Sequence, residues 1–504
     1  MLDWIERVGN RLPSAIMLFL WLSLFLVLIS ILASAAGLSG IHPGTGERVS
    51  AVNLLSAETV RRFLVEMPRT FTGFPPLGTV LTVMIGIGIA ERTGLIAAAL
   101  GGMVRRVPGP FLAFAITLAG ILSSLAVDAG YVVLVPLGAA LFAAAGRHPL
   151  AGLAAAFAGT SGGYSANLLV TSLDPLLGGI SQTAAQLLMP GYQVLATANW
   201  FLMIALVPMF AIAGAVVTTR IVEPRLGRWD PVPGVPVAAE PPTAVETSAL
   251  RLTGWWSLAL LALISALVVP EGAPLRDPET GRIEPFYQAI VAITAIGLGL
   301  LGIVYGRATG QIRTSNDAIA MSEEAMRTMA AYILLAFVAA HFLAFFAWSN
   351  LGILLAIAGG DMLRASGIGG VPLLLLVMVT SAFINLFIGS ASAKWALLAP
   401  VFIPMFMLVG ITPEATQAAY RIGDSVTNII TPLMSYFPLV LVAAQRYVPA
   451  LGIGSMIATM LPFSIAFLIV GAGTLLLFLL AGIPIGPGTL PFMAPIAAGV
   501  VSPA

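Results

Sequence analysis

The chain has 504 residues, of which 59% are hydrophobic and only 9% charged, against about 25% charged in a soluble domain. Too little polar surface remains for a water-soluble fold of this size, so the composition defines an all-α polytopic membrane protein. A net charge of +1 argues against a nucleic-acid partner, the lack of cysteine excludes disulfides and cysteine-ligated zinc, and three scattered histidines (His42, His148, His341) argue against a multi-histidine metal site.

The N-terminal segment combines arginines, an apolar run and small residues, as a secretory signal does. Its run from Ala15 to Ala36 is longer than the roughly 7–15 residues of a signal core and matches the ~20 needed to cross a bilayer. It reads as a retained first helix with a cytoplasmic N-terminus. Residues 76–100, 192–221, 254–272, 285–306 and 453–482 read as further single spans. Stretches 109–145, 326–366 and 370–410 are each too long for one straight crossing of a ~30 Å core at about 1.5 Å per residue. Each contains a break: Asp128 and Gly130 in the first, Ser349-Asn350 in the second, Gly389 to Lys394 in the third.

Residues 222–252 are rich in proline and charge and read as an extended linker. Arg220, Arg225, Arg228 and Arg251 there, with Arg307, Arg313 and Arg327 in 307–327, place both connections in the cytoplasm by the positive-inside tendency. The parity that follows gives nine crossings and an outside C-terminus, if 109–145 crosses once and 150–190 does not cross. It leaves 38–75 as an outside loop, against the grain of Arg48, Arg61, Arg62 and Arg69.

Self-comparison sets 132–175 beside 396–438. Pro136 falls on Pro400, Gly146 on Gly410, Pro149 on Pro413, and Gly159-Thr160-Ser161 on Gly423-Asp424-Ser425. Each copy ends in two apolar arms around a polar tip, GTSGGYSANLLVTS (159–172) and GDSVTNIITP (423–432). Non-helical backbone at membrane depth must be buried in protein or line a water-filled cavity. Two re-entrant hairpins in an inverted repeat are therefore expected, their tips meeting near the midplane. Half-helix ends and Ser, Thr and Asn oxygens at such a point suit an anion and a hard cation such as Na⁺.

The blocks INLFIGSASAKWALLAPVFIPMFMLVG and TPEATQAAYRIGDSVTNIITPLMSYFP, together with AGTSGGYSANLL and SLDPLL, closely resemble the AbgT family of bacterial p-aminobenzoyl-glutamate transporters. The resemblance covers essentially the whole chain. It implies a dimeric inner-membrane protein of about nine transmembrane helices and two hairpins. It further implies uptake of p-aminobenzoyl-glutamate, a folate breakdown product, or export of sulfonamide antimetabolites, driven by an ion gradient. The family's motif residues match at Asn385, Ser392, Trp395, Pro413, Arg421, Asp424 and Pro432, and at Asp174 in the first hairpin.

On these grounds Asp424 is the expected cation or proton site, with Asn385 and Asn428 as further Na⁺ ligands. Thr427 and Thr431 flank it, and Asn167 and Ser165 take the mirror-related place in the first tip. Arg421, three residues before Asp424 and so on one helix face with it, is expected to tune it or to grip a substrate carboxylate. Asp174, Asn385, Ser392, Trp395, Pro413 and Pro432 are read with the substrate, Trp395 stacking on an aromatic ring and Pro413 and Pro432 shaping the hairpin around it. Lys394, the chain's sole lysine, is expected to snorkel to an interface. Asp128 reads as a structural cap. The chain then divides into scaffold helices (1–108), a first core repeat (109–221) with hairpin 1 near 150–190, the cytosolic linker (222–252), further scaffold (253–369), and a second repeat (370–504) with hairpin 2 near 413–445.

Two other readings compete. GTSGG (159–163) fits G-x-S-x-G, so an intramembrane protease would pair Ser161 with His341. A channel is the second. The repeat favours a carrier over both, because it accounts for both tips together. Sodium and proton remain open as coupling ion.

Overall fold

The computed structural model describes residues 15–42, 45–105, 107–125, 130–229 and 243–494. Asp128 and residues 230–242 of the proline-rich linker lie outside the described residues.

In lipid every backbone polar group needs an internal partner, so apolar runs become helices. The first is α1 (Ala15–Ala35). The stretch read as an outside loop instead holds a small antiparallel pair, β1 (Ser39–Ile41) and β2 (Arg48–Ser50). An amphipathic helix, α2 (Ala57–Thr72), follows, with its N-terminus closed by the Ser56 hydroxyl accepting from the Thr59 N–H. Its Phe63 and Phe71 pack on Phe337, His341 and Phe345 of α13 (Ala330–Trp348), while Leu64 and Val65 stay exposed, and the Arg62 guanidinium lies over the Trp348 ring of the same α13. That explains arginines in a segment that packs on the bundle. The expected span 76–100 is two helices, α3 (Pro75–Arg92) and α4 (Leu95–Arg105). Gly94, at φ +75°, turns the chain between them.

Stretch 109–145 is broken as expected, into α5 (Leu112–Leu122) and α6 (Val135–Ala144) with 3₁₀ and π turns at the inner ends. Hairpin 1 follows as α7 (Pro149–Phe157, extended by a π turn to Gly162) and α8 (Leu173–Ala185). Helix α9 (Trp200–Val217) continues to Leu226, and α10 (Ala244–Val268) starts ahead of the expected 254–272 span. The linker therefore shrinks to 227–243. Then come α11 (Glu284–Thr309), α12 (Ser315–Thr328), α13, and α14 (Leu351–Ser366). The second expected break is real: Asn350 between α13 and α14 is left-handed, at φ 58°.

The second repeat runs α15 (Gly370–Asn385), α16 (Ala391–Met407), α17 (Pro413–Val426), α18 (Phe437–Gln445) and α19 (Ile453–Leu480). It restates α5 to α9: a broken helix, a hairpin, a span. The repeated residues do the same physical work in each copy. Gly146 and Gly410 both turn the chain at positive φ (+70° and +85°). Pro149 and Pro413 both open the first hairpin helix, at a position whose N–H needs no partner. Gly159 and Gly423 both lie against a backbone carbonyl of the broken helix, Thr117 O and Met378 O, where a Cβ would overlap. The two closing spans meet across the middle, Phe210 of α9 stacked on Phe467 of α19 at 4.7 Å.

Among the described residues seven helices are long and apolar enough to cross a membrane. The pair α14–α15 meets the same test only together, bent by 120° at its break, which gives up to eight against the nine crossings of the sequence reading; α4, α5, α6 and α16 are shorter apolar helices.

Candidate functional site

Hairpin 2 brings a charged, hydrogen-bonding helix into the middle of an apolar bundle, and α17 is buried along its whole length. Its Arg421 and Asp424 do not pair with each other, which corrects the sequence reading. Arg421 Nη1 donates to Asp174 Oδ1 of hairpin 1 at 2.6 Å. Asp424 instead takes the ammonium of Lys394 on α16. Lys394 is therefore no snorkelling interface residue: its residue is 1% exposed, as against 2% for Asp424 and Arg421 and 1% for Asp174. Four charges lie out of water in two pairs, and the set is electrically neutral. Burial at this cost is tolerated because each carboxylate is further held. Thr171 donates its N–H and hydroxyl to Asp174 Oδ2 at 2.6 and 2.9 Å, and the Tyr420 hydroxyl, 2.5 Å from Ala391 O, also lies 3.2 Å from Asp424 Oδ1.

Asn385, the last residue of α15, is the hub. Its Nδ2 lies 2.7 Å from Asp424 O, 2.9 Å from Thr427 Oγ1 and 2.8 Å from Asn428 Oδ1, while its Oδ1 accepts from Lys394. Asn428 also reaches hairpin 1, through Ser161 O at 3.4 Å. In the first tip the mirror-related residues behave alike. Asn167 Oδ1 accepts from Ser124, and the Ser165 hydroxyl donates to Arg421 O at 3.0 Å. Thr431 donates to Leu386 O and is followed by Pro432, which leaves the helix path at the tip.

A cavity of 330 Å³ opens beside this cluster, within the ~300–1,000 Å³ of small-molecule sites. Hairpin 1 supplies Tyr164, Ser172, Leu173 and Leu176; hairpin 2 supplies Asn428, Met434, Ser435 and Tyr436; the α15/α16 break supplies Gly389, Ser390 and Ser392. Tyr131 joins from the π turn before α6, and Val80, Met329 and Tyr332 close the far wall. Trp395 does not line it. Its ring is fully enclosed, stacked on Tyr420 at 4.4 Å, with Nε1 donating to Ser181 Oγ at 2.9 Å. From Ser181 the hydrogen bonds continue through Gln417 and Asn199 to the Glu414 carbonyl, tying α8, α9 and α17 together. Pro413 sits at the far end of α17 and acts on the hairpin's start.

The protease pairing is not made. The Ser161 hydroxyl faces Met434 Sδ at 3.8 Å. His341 is bound through Nδ1 to Phe337 O at 2.7 Å, among Phe63 and Phe337.

Sequence reasoning missed two things. Lys394 carried a usable signal, since a lone lysine at a helix break beside the motif residues is an odd one to place at an interface. The four cavity tyrosines come from four separate elements, and no linear pattern links them.

Two hairpins with broken helices behind them, buried charges at their meeting point and a small-molecule cavity alongside define a membrane transport protein. The comparisons place it more narrowly. The chain belongs to the AbgT transporter family, whose model matches residues 1–493. It is 38% identical over 490 residues to the p-aminobenzoyl-glutamate transport protein of Escherichia coli (strain K12), covering 97% of this chain and 96% of that one. Two solved structures share the fold. The Alcanivorax borkumensis YdaH transporter, described as having an unusual topology, superposes with a TM-score of 0.90 at 46% identity, covering 94% of this chain and all of that one. Neisseria gonorrhoeae MtrF, described within a class of antimetabolite efflux pumps, gives 0.91 at 42% identity, over 97% of this chain and 99% of the other.

Proposed function

We propose that this protein is an ion-coupled carrier that moves p-aminobenzoyl-glutamate, sulfonamide-type antimetabolites, or both, across the bacterial inner membrane by alternating access. The observation that carries the reading is the neutral pair of ion pairs, Arg421–Asp174 and Lys394–Asp424, directly behind a cavity walled by both hairpin tips. Ionisable groups at such depth are costly and mark ion and substrate paths.

In this reading the substrate sits in the tip cavity. Ser390, Ser392, Ser435 and Asn428 offer it polar contacts, and Arg421, whose buried Nε and Nη2 have no hydrogen-bond partner among the described residues, supplies positive charge for its carboxylates. Asp424 holds the coupling ion. The oxygens of Asp424, Thr427 and Asn428 that gather at Asn385 suit Na⁺, but the Lys394 ammonium already rests on Asp424 and Asn385. A cation entering there competes with Lys394, whereas a proton arriving at Asp424 releases it. Scaffold (1–108 and 253–369) and core (109–221 and 370–504) move against each other as two bodies, with the N-terminus cytoplasmic and a homodimer formed through the scaffold. Ions drive the cycle only by differing in affinity or occupancy between the two states.

The test is radiolabelled p-aminobenzoyl-glutamate flux in proteoliposomes under a sodium gradient or a proton gradient, with wild type and Asp424→Asn. Flux driven by one gradient and lost in the variant is expected. Folded wild type without flux of this compound or of a sulfonamide under either gradient would overturn the assignment.

A further inference from the structure

The tip cavity is walled by tyrosine to a degree that the polar cluster behind it does not require. Four of the chain's nine tyrosines line it: Tyr131, Tyr164, Tyr332 and Tyr436. Tyr131 and Tyr436 stack face to face, centroids 4.2 Å apart and planes 6° from parallel. One comes from the first repeat and the other from the tip of hairpin 2, so the stack joins the two repeats at the cavity wall. Tyr332 comes from α13 on the other side, where its ring lines the cavity while its hydroxyl, without a hydrogen-bond partner among the described residues, is enclosed in protein. By contrast Trp395, the obvious candidate for an aromatic ligand, has both faces and its N–H committed to packing.

We propose that the Tyr131–Tyr436 stack is the subsite for the ligand's aromatic ring, and that the Tyr332 ring closes it from the opposite wall. The inference rests on the carrier reading above and deepens it. The ligand class is a neutral aminobenzene ring bearing an acyl or sulfonyl group; both share the ring and an oxygen acceptor beside it. A second consequence follows from where the residues sit. Tyr131, Tyr164 and Tyr436 belong to the proposed core, whereas Val80, Met329 and Tyr332 belong to the proposed scaffold. The complete subsite exists only while the two bodies hold this arrangement. A core movement takes Tyr332 away from the other three, and the ligand gains different affinities in the two states, which is what a carrier needs.

Equilibrium binding to the purified full chain tests this with three probes: p-aminobenzoyl-glutamate, sulfanilamide, and N-acetylglutamate, which carries the tail without the ring. Tyr332→Ala is expected to weaken both aromatic probes about fivefold through the lost ring contact. Tyr436→Leu is expected to weaken both about tenfold and Tyr436→Phe to restore them, with N-acetylglutamate competition unchanged throughout. Thermal midpoints report folding; if Tyr436→Leu does not fold, Tyr332→Ala and Tyr436→Phe decide. Aromatic binding within twofold of wild type in every folded variant, or an equal loss for N-acetylglutamate, overturns the subsite while leaving the carrier reading intact. Wild type that binds neither aromatic probe overturns the carrier reading, and the subsite with it.

Discussion

Removing one member of a buried ion pair leaves the other charged where water does not reach, at about 3–5 kcal/mol. Lys394→Met is therefore expected to lower the thermal midpoint in detergent well below wild type, because Asp424 is left with the Tyr420 hydroxyl, which it shares with Ala391 O. The double variant Lys394→Met/Asp424→Leu removes both charges and is expected to regain most of that stability, yet to carry no ion-driven flux. A double variant as unstable as the single would mean that Asp424 is held by more than Lys394. The same logic separates Arg421 from Asp424. Asp174→Asn is expected to destabilise through Arg421 and to leave the Lys394–Asp424 contact in place. Much of this cluster is legible in the sequence, because an aspartate, an arginine and asparagines are conspicuous in a chain with so few polar residues. The partners are not. Arg421 and Asp424 are one helical turn apart, which makes them natural partners, but their actual partners lie 247 and 30 residues away (421 − 174 and 424 − 394). Sequence spacing reports a shared helix face and says nothing of what packs against it.

Hairpins and broken helices are held together at glycines that touch backbone. A methyl group at Gly423 would overlap Met378 O on α15, and one at Gly159 would overlap Thr117 O on α5. Backbone cannot swing aside as a side-chain end can. Gly423→Ala and Gly159→Ala are each expected to cost about 1–3 kcal/mol and to reduce transport with it. Gly78→Ala on α3 meets nothing within 4 Å and serves as the control; it is expected to be neutral or to gain roughly 0.5–1 kcal/mol from helix propensity. Thermal unfolding of the three variants checks the contrast. A Gly78→Ala loss equal to the others would point to a general intolerance of substitution. The Gly and Pro matches between the two halves make these elements readable from the amino-acid sequence, since turns, helix starts and close approaches each demand a particular residue type. The 38–75 segment is not readable in the same way. An amphipathic helix with arginines on one face has the composition of a loop, and only its contact with α13 distinguishes the two. The 76–100 run does carry a signal, since Glu91, Arg92 and Thr93 stand directly before the left-handed Gly94, but an average over a span-length window passes over so short a polar break.

At the scale of the whole molecule the central claim is that the cavity between the hairpin tips is reached from one side of the membrane at a time. The absence of cysteine from the chain makes this directly measurable. Ser435 is exposed at the cavity wall, so a single cysteine there, in a variant that retains gradient-driven transport, can be labelled with a membrane-impermeant thiol reagent from either face of proteoliposomes. Alternating access predicts labelling from one face under one direction of the driving gradient and from the other face when the gradient is reversed, with p-aminobenzoyl-glutamate slowing both. Simultaneous labelling from both faces would contradict alternating access and favour a channel, and labelling from the same single face under both gradients would contradict a moving core.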